Sequence, residues 1–252
     1  MILAIDAGNS RTKWGVFDAP GELKAHGVCL NAELAKTALP VAWRGCNRAV
    51  LSNVAGAAVA EALQVRLDAL AIPVRWVTAS ASACGVKNNY AKPQQLGSDR
   101  WAALVAVWQH YRAPCIVVSA GTALTVDALG LGEERGQGIF LGGLIVPGFS
   151  LMRNSLVERT AGLSQLNGSL QDFPVNTGDA IYTGAVSVMA GAVASMLAKL
   201  QQHESQKPCC ILSGGDAALL AEALQGTAIA NQVVIADNLV LQGLLLIERE
   251  NS

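Results

Sequence analysis

Met1-Ile2-Leu3-Ala4-Ile5-Asp6-Ala7-Gly8-Asn9-Ser10-Arg11-Thr12-Lys13-Trp14-Gly15-Val16-Phe17-Asp18 is an apolar run that delivers an aspartate at its end. It breaks at a glycine among amide and hydroxyl side chains and then resumes as an alternating strand. The pattern describes a β-hairpin that presents its turn. Gly8 has no Cβ, so the backbone there can come close to a ligand, and the amides that follow can point at an anion. Asp6, at the last inward position, would then lie beside that anion and hold metal or water. Taken alone, the same residues also suit an ordinary tight turn with a capping Asn and a solvated Asp.

The pattern recurs, and the recurrence favours the ligand-binding reading. Cys115-Ile116-Val117-Val118-Ser119-Ala120-Gly121-Thr122-Ala123-Leu124-Thr125-Val126-Asp127 is again an apolar strand, a small-Gly-hydroxyl turn and a second strand closing on an acid. A third echo, Cys209-Cys210-Ile211-Leu212-Ser213-Gly214-Gly215-Asp216, leads from its glycines into a helix. These repeats point to a duplicated α/β unit whose two copies serve one ligand.

The whole chain narrows the choice of ligand. It has 252 residues, 52% of them hydrophobic, which is ample material for one large core or two ordinary lobes. Lys and Arg number 18 against 19 Asp and Glu, so no basic field is present to hold a nucleic acid, and a small ligand is expected. The positive mean hydropathy comes from alanine, valine and leucine spread between polar residues, so no membrane span is expected. The start lacks a basic segment and meets an acid almost at once, unlike a signal peptide, so a cytoplasmic protein is expected. Six cysteines, at 29, 46, 84, 115, 209 and 210, form no C-x-x-C pair and read as small apolar residues in a reducing compartment. The three histidines lie far apart in the sequence and suggest no zinc site.

Outward from the first hairpin, residues 21–28 read as a third strand after the Pro20-Gly21 turn, and 31–39 as a short helix capped by Asn31 and stopped by Pro40. A strand over 48–54 precedes an amphipathic helix over 55–71, with Val59, Leu63, Leu67 and Leu70 inward, and a strand over 73–78. A meander followed by alternating units is the order of an RNase-H-like half. A polar loop, 87–100, then runs into a helix from Trp101. Asp99 there suits the helix dipole, which is reason enough for an acid. Arg100 does not suit it, and an acid with a cation at a helix mouth suits a substrate bearing both a hydroxyl and a carboxylate.

Beyond the second hairpin, residues 139–146 read as a strand whose end is bracketed by Gly142-Gly143 and Pro147-Gly148. A helix over 149–158, an extended loop over 163–176 and the longest helix, from Thr177 to about residue 202, follow. That helix carries small residues at Ala180, Gly184, Ser187, Gly191, Ala194 and Ala198, a stripe that suits close helix packing either across the core or across a dimer axis. Strands over 209–213 and 232–236 and helices over 216–224 and 238–249 complete a second half. The expected division is residues 1–112 and 113–252.

Neither a P-loop nor a dinucleotide fingerprint occurs. Paired glycine turns can hold a nucleotide polyphosphate with backbone amides and hydroxyls, with Asp6 orienting Mg²⁺ directly or through water. Phosphoryl transfer then needs a base for the acceptor hydroxyl, and Asp99 is the best-placed candidate.

The residues together resemble a type III pantothenate kinase of the acetate kinase, sugar kinase, Hsp70 and actin superfamily. The resemblance rests on Asp6-x-Gly8-Asn9-Ser10 with Lys13, on Leu96-Gly97-Ser98-Asp99-Arg100-Trp101 and on Gly121-Thr122-Ala123-Leu124-Thr125-x-Asp127. Gly142-Gly143-Leu144-Ile145-x-Pro147-Gly148 and Ser213-Gly214-Gly215-Asp216 complete it. It implies an α/β fold of duplicated RNase-H-like, actin-like halves, with mixed sheets flanked by helices. It also implies ATP-dependent phosphorylation of pantothenate to 4′-phosphopantothenate, the first step towards coenzyme A. By that analogy Asp99 is the base, and Tyr90, Gly97, Ser98 and Arg100 serve pantothenate. Asp6, Gly8, Asn9, Ser10, Lys13, Gly121, Thr122 and Ala123 surround ATP and Mg²⁺. Thr177 reaches the substrate of the neighbouring subunit, which implies a homodimer.

One position departs from the family. An Asp associated with K⁺ or NH₄⁺ usually precedes the second glycine turn, and Ser119 stands there. A hydroxyl brings no formal charge, so monovalent-cation binding is expected to be weaker, differently coordinated or lost. The rival readings are a superfamily kinase with another small acceptor, a nucleotide-binding regulatory protein of the same fold, and a structural dimer module.

Overall fold

The computed structural model of the chain describes residues 1–159 and 167–250. These form two compact units, Met1–Tyr111 joined by the chain from Asn238 onward, and Arg112–Asp237. The expected division lies at 112/113; the two units part between Tyr111 and Arg112, and residues 238–250 group with the first unit.

The first unit opens with β1 (Ile2–Ala7), β2 (Arg11–Phe17) and β3 (Leu23–Leu30), an antiparallel meander. After it come β4 (Arg48–Asn53), α1 (Ala57–Asp68) and β5 (Val74–Trp76), then a two-stranded ribbon of β6 (Ser82–Ala83) and β7 (Val86–Asn88), and α2 (Ser98–Tyr111). The five-stranded sheet runs β3-β2-β1-β4-β5, with β4 parallel to both β1 and β5. In β1, Leu3, Ala4, Ile5 and Ala7 are all buried. A central strand covered on both faces reads as a continuous apolar run, which is why its sequence does not alternate. The edge strand β3 alternates between exposed and partly buried residues, as an edge does.

The second unit repeats the plan. It comprises β8 (Cys115–Ala120), β9 (Ala123–Leu131), β10 (Gly138–Pro147), α3 (Phe149–Arg159), α4 (Thr177–His203), β11 (Cys209–Ser213), α5 (Ala217–Leu224) and β12 (Val233–Ile235). Its strands run β10-β9-β8-β11-β12, again two antiparallel pairs followed by two parallel ones. Position for position, β8 matches β1, β9 matches β2 and β11 matches β4.

The last helix, α6 (Leu239–Glu250), packs on α2, where a Cβ on Gly243 would overlap the carbonyl of Ala102. Its Glu248 is buried and accepts from Arg48 Nη1 at 2.9 Å and Arg75 Nη1 at 3.1 Å, tying the helix to β4 and β5. These contacts are what place 238–250 in the first unit.

Other expectations fare differently. Residues 31–39 form only a short 3₁₀ turn at Asn31–Glu33, and the Asn31 side chain caps nothing there because it is bonded elsewhere. The expected loop 163–176 lies outside the described residues over 163–166. Helix α4 buries Val186, Met189, Val193, Leu197 and Leu200 in the core of its unit, at the three-and-four spacing of one helix face. The small-residue stripe lies away from that core face: Ala180, Gly184, Ser187, Gly191 and Ala198 are exposed, with Val188 among them. By length and composition α4 is also apolar enough to cross a membrane. That corrects the expectation of no such segment, which overlooked the uncharged run from Ala180 to Ala198.

Candidate active site

In the first unit the hairpin places Asp6 opposite Lys13 and beside Ser52 of β4. Asp6 Oδ1 is buried and has no hydrogen-bond partner among the described residues. Burial, then the charge of Asp99, pushes the Asp6 carboxyl up to about 7, against the opposing pull of Lys13. A buried carboxylate oxygen with no donor costs free energy unless a cation or proton satisfies it. The atom therefore fits a metal ligand or the holder of a metal-bound water.

Asp99 reaches the same neighbourhood from α2. It lies in the first turn, and the helix opens with Trp101 N–H donating to the Gly97 carbonyl at 2.9 Å. Ser98, almost fully buried, has its hydroxyl 2.8 Å from that of Ser52, which is fully buried. One residue pairs with Asp6 in the sheet and the other precedes Asp99 in the helix, so this contact ties the two acids' supports together. Gly97 leaves the acid its place, because a Cβ there would stand 2.6 Å from Asp99 Oδ1 and the carboxylate would have to turn aside. Burial raises the pKa of Asp99, while the hydrogen bond from Arg100 N–H, at 2.8 Å to Oδ1, and the guanidinium charge of Arg100 pull it back.

Arg100 is buried, and its Nη1 donates to the Tyr90 hydroxyl at 3.4 Å, with the guanidinium 6.0 Å from the ring centroid. The loop bearing Tyr90 is organised by Asn88, which donates to the carbonyls of Ser80 and Pro93 and accepts from Tyr90 N–H. The fold thus gathers Asp6, Lys13, Gly8 to Ser10, Tyr90 and Gly97 to Arg100 in one unit.

The other expected residues belong to the second unit. Gly121, Thr122 and Ala123 form the β8–β9 turn, closed by Gly121 N–H to the Ala123 carbonyl at 3.1 Å. Two glycines hold it from behind. Gly148 N–H donates to the Thr122 carbonyl at 2.9 Å, and a Cβ at 148 would overlap the Gly121 carbonyl. Gly214, at φ +103°, leaves equally little room against Ala120. The later glycine motifs therefore pack backbone against this turn. Ser119 is exposed, between Thr125 and Ser213 in the sheet register. Thr177 is exposed at the start of α4, next to Asn176, whose side chain accepts from Asp179 N–H.

Sequence reasoning missed Ser52 and Asn31. Ser52 falls inside the strand expected over 48–54 with nothing local to mark it, and its serine partner lies 46 positions away. Asn31 was read as a helix cap, yet its amide lies on the first glycine turn: Nδ2 donates to the carbonyls of Gly8 at 2.7 Å and Asn9 at 3.1 Å.

Residues 2–199 match the type III pantothenate kinase family. A type III pantothenate kinase of Methylobacillus flagellatus is 45% identical over 249 residues, covering 98% of each chain. That of Nitrosospira multiformis is 46% identical, covering all of this chain and 92% of its own. Among solved structures, one described as a Baf family transcriptional activator from Campylobacter jejuni superposes with a TM-score of 0.62 at 20% identity, over 99% of this chain and 98% of its own. One described as a 2-dehydro-3-deoxygalactonokinase from Sinorhizobium meliloti gives 0.55 at 12%, over 99% and 98%. At those identities the structures speak for the fold alone. The two near full-length relatives and the family match agree with the motifs and their geometry: the chain belongs to the type III pantothenate kinase family.

Proposed function

We propose that the chain carries out its family's reaction, ATP-dependent phosphorylation of pantothenate to 4′-phosphopantothenate, with Asp99 as the general base. The observation that carries this reading is the pair of carboxylates, Asp6 and Asp99, each raised chiefly by partial burial and delivered by a strand end and a helix start into one electrostatic neighbourhood. Asp99 accepts the proton of the pantothenate hydroxyl as that oxygen attacks the γ-phosphorus of ATP, and ADP leaves. Burial raises the basicity of Asp99, and Arg100 keeps it ionised for that task. Arg100, with Tyr90, offers a buried cation for the pantothenate carboxylate; Gly97 leaves room for the base, and Ser98 anchors the loop. Asp6 would hold Mg²⁺ directly or through water, and the ion when bound draws charge from the phosphates. Gly8, Asn9, Ser10 and Lys13 serve the nucleotide phosphates from the first turn, and Gly121, Thr122 and Ala123 from the second.

Ser119 lacks the charge of the family's usual aspartate, so K⁺ or NH₄⁺ activates weakly or not at all. The exposed small-residue stripe of α4, with Val188 beside it and Phe173 and Val175 nearly fully exposed just before the helix, supports a homodimer. In such a dimer Thr177 serves the partner's site. The six cysteines form no disulfide among the described residues, which suits a reducing compartment, the cytoplasm. The test is turnover of pantothenate with ATP and Mg²⁺ in sodium, potassium and ammonium salts, for the natural protein and Asp99→Ala. Turnover in sodium alone, lost by about 10²-fold or more in a folded Asp99→Ala, is expected. An active Asp99→Ala would remove Asp99 as the base, and turnover that needs potassium or ammonium would overturn the reading of Ser119.

A further inference from the structure

Asn31 stands outside every motif, yet it holds the Gly8-Asn9-Ser10 turn from behind. Besides the two carbonyls on its Nδ2, its own backbone N–H donates to the Ser10 carbonyl at 3.1 Å. The fully buried Thr12 hydroxyl donates to Asn31 Oδ1 at 2.9 Å. The two carbonyls decide which way the amide faces: a carbonyl oxygen only accepts, so Nδ2 must face the turn, and Oδ1 is left to accept from Thr12, whose hydroxyl can play either part.

The consequence for the turn follows from peptide planarity. In a trans peptide the carbonyl of one residue and the N–H of the next lie on opposite edges of one plane, and no peptide bond among the described residues is cis. Drawing the Gly8 and Asn9 carbonyls towards Asn31 turns the amide hydrogens of Asn9 and Ser10 the other way. Carbonyl oxygens facing a polyphosphate would repel it, whereas N–H groups attract it. Gly8 N–H is already committed to the Arg11 carbonyl at 3.1 Å, so the next two planes are the ones left to orient.

We propose that Asn31 is a positioning residue for the nucleotide, locking two peptide planes of the first glycine turn with their N–H edges towards the ATP phosphates. The proposal rests on reading that turn as a phosphate site. Its test compares kcat and KM for both substrates in Asn31→Ala and the near-isosteric Asn31→Asp, with thermal melting alongside. Both variants are expected to raise KM for ATP about tenfold, with kcat and KM for pantothenate changed less than about twofold. Thr12→Val, which removes only the anchor of the amide, is expected to move KM for ATP in the same direction. It keeps the test open should an Asn31 variant fail to fold. An effect of Asn31→Asp without one of Asn31→Ala would mean charge repulsion and overturn the proposal. So would equal rises in both KM values, or no rise in a folded protein. Ser10→Asp, which puts a carboxylate in the turn, separates the two levels. If it raises KM for ATP while the Asn31 variants do not, the positioning role alone fails; if it also has no effect, the phosphate site itself is misplaced.

Discussion

Asp6 occupies a position that favours its neutral form, and that conflict gives a measurable signature. Burial and the charge of Asp99 lift its carboxyl from 3.8 to about 7. Between those values the folded state binds a proton that the unfolded state has released. The stability of the ligand-free protein therefore falls as pH rises through the window, and the full penalty is present above it. Each unit corresponds to about 1.4 kcal/mol, so the whole amounts to a few kcal/mol at most. Asp6→Asn is expected to melt above the natural protein at pH 8 and at the same temperature near pH 4, measured without nucleotide or Mg²⁺. Equal melting temperatures at pH 8 would mean that the carboxylate is hydrated after all. The natural residue keeps the penalty because a cation needs the charge, a pattern common where function and stability compete.

Between elements, the junction of α2 with β4 sets the position of the base. Ser52 and Ser98 satisfy each other in a buried place, so removing either hydroxyl strands the other at a cost of about 1–3 kcal/mol. Removing both leaves nothing stranded. Ser52→Ala and Ser98→Ala are each expected to lower urea-unfolding stability, and the double variant by clearly less than the sum, since contacting pairs couple. Strict additivity would show that the two hydroxyls do not depend on each other. The second glycine turn is built differently, by backbone pressed against backbone at Gly148 and Gly214.

For the molecule as a whole, the repeated strand order of the two sheets accounts for the repeated motifs: each glycine turn joins the first two strands of its unit. Helix α4 serves its own unit with its large apolar residues, and the opposite face is small and exposed. Small side chains let a second helix approach closely, so light scattering is expected to give twice the 26.1 kDa chain mass. Gly191→Glu, pointing into open space, is expected to give a folded monomer of reduced activity through the loss of Thr177 from the partner's site. A natural protein that is monomeric and fully active would end the dimer reading.

The paired hairpins, the central apolar strands, the Gly-Ser-Asp-Arg helix start and α4 were legible because each rests on local chemistry: a period of two or 3.6, a glycine where a Cβ is excluded, an acid at a helix mouth. The family followed from the order of those signals. What the chain's order could not carry were pairings between distant positions. Ser52 meets Ser98, and Glu248 meets Arg48 and Arg75 from 200 and 173 residues away, which returned the last helix to the first unit. Asn31 looked like a cap because asparagine is a good one. Only the folded meander showed its amide already engaged by a turn more than twenty residues earlier, since a side chain's partner is chosen by what the fold brings within hydrogen-bond distance, not by its neighbours in sequence.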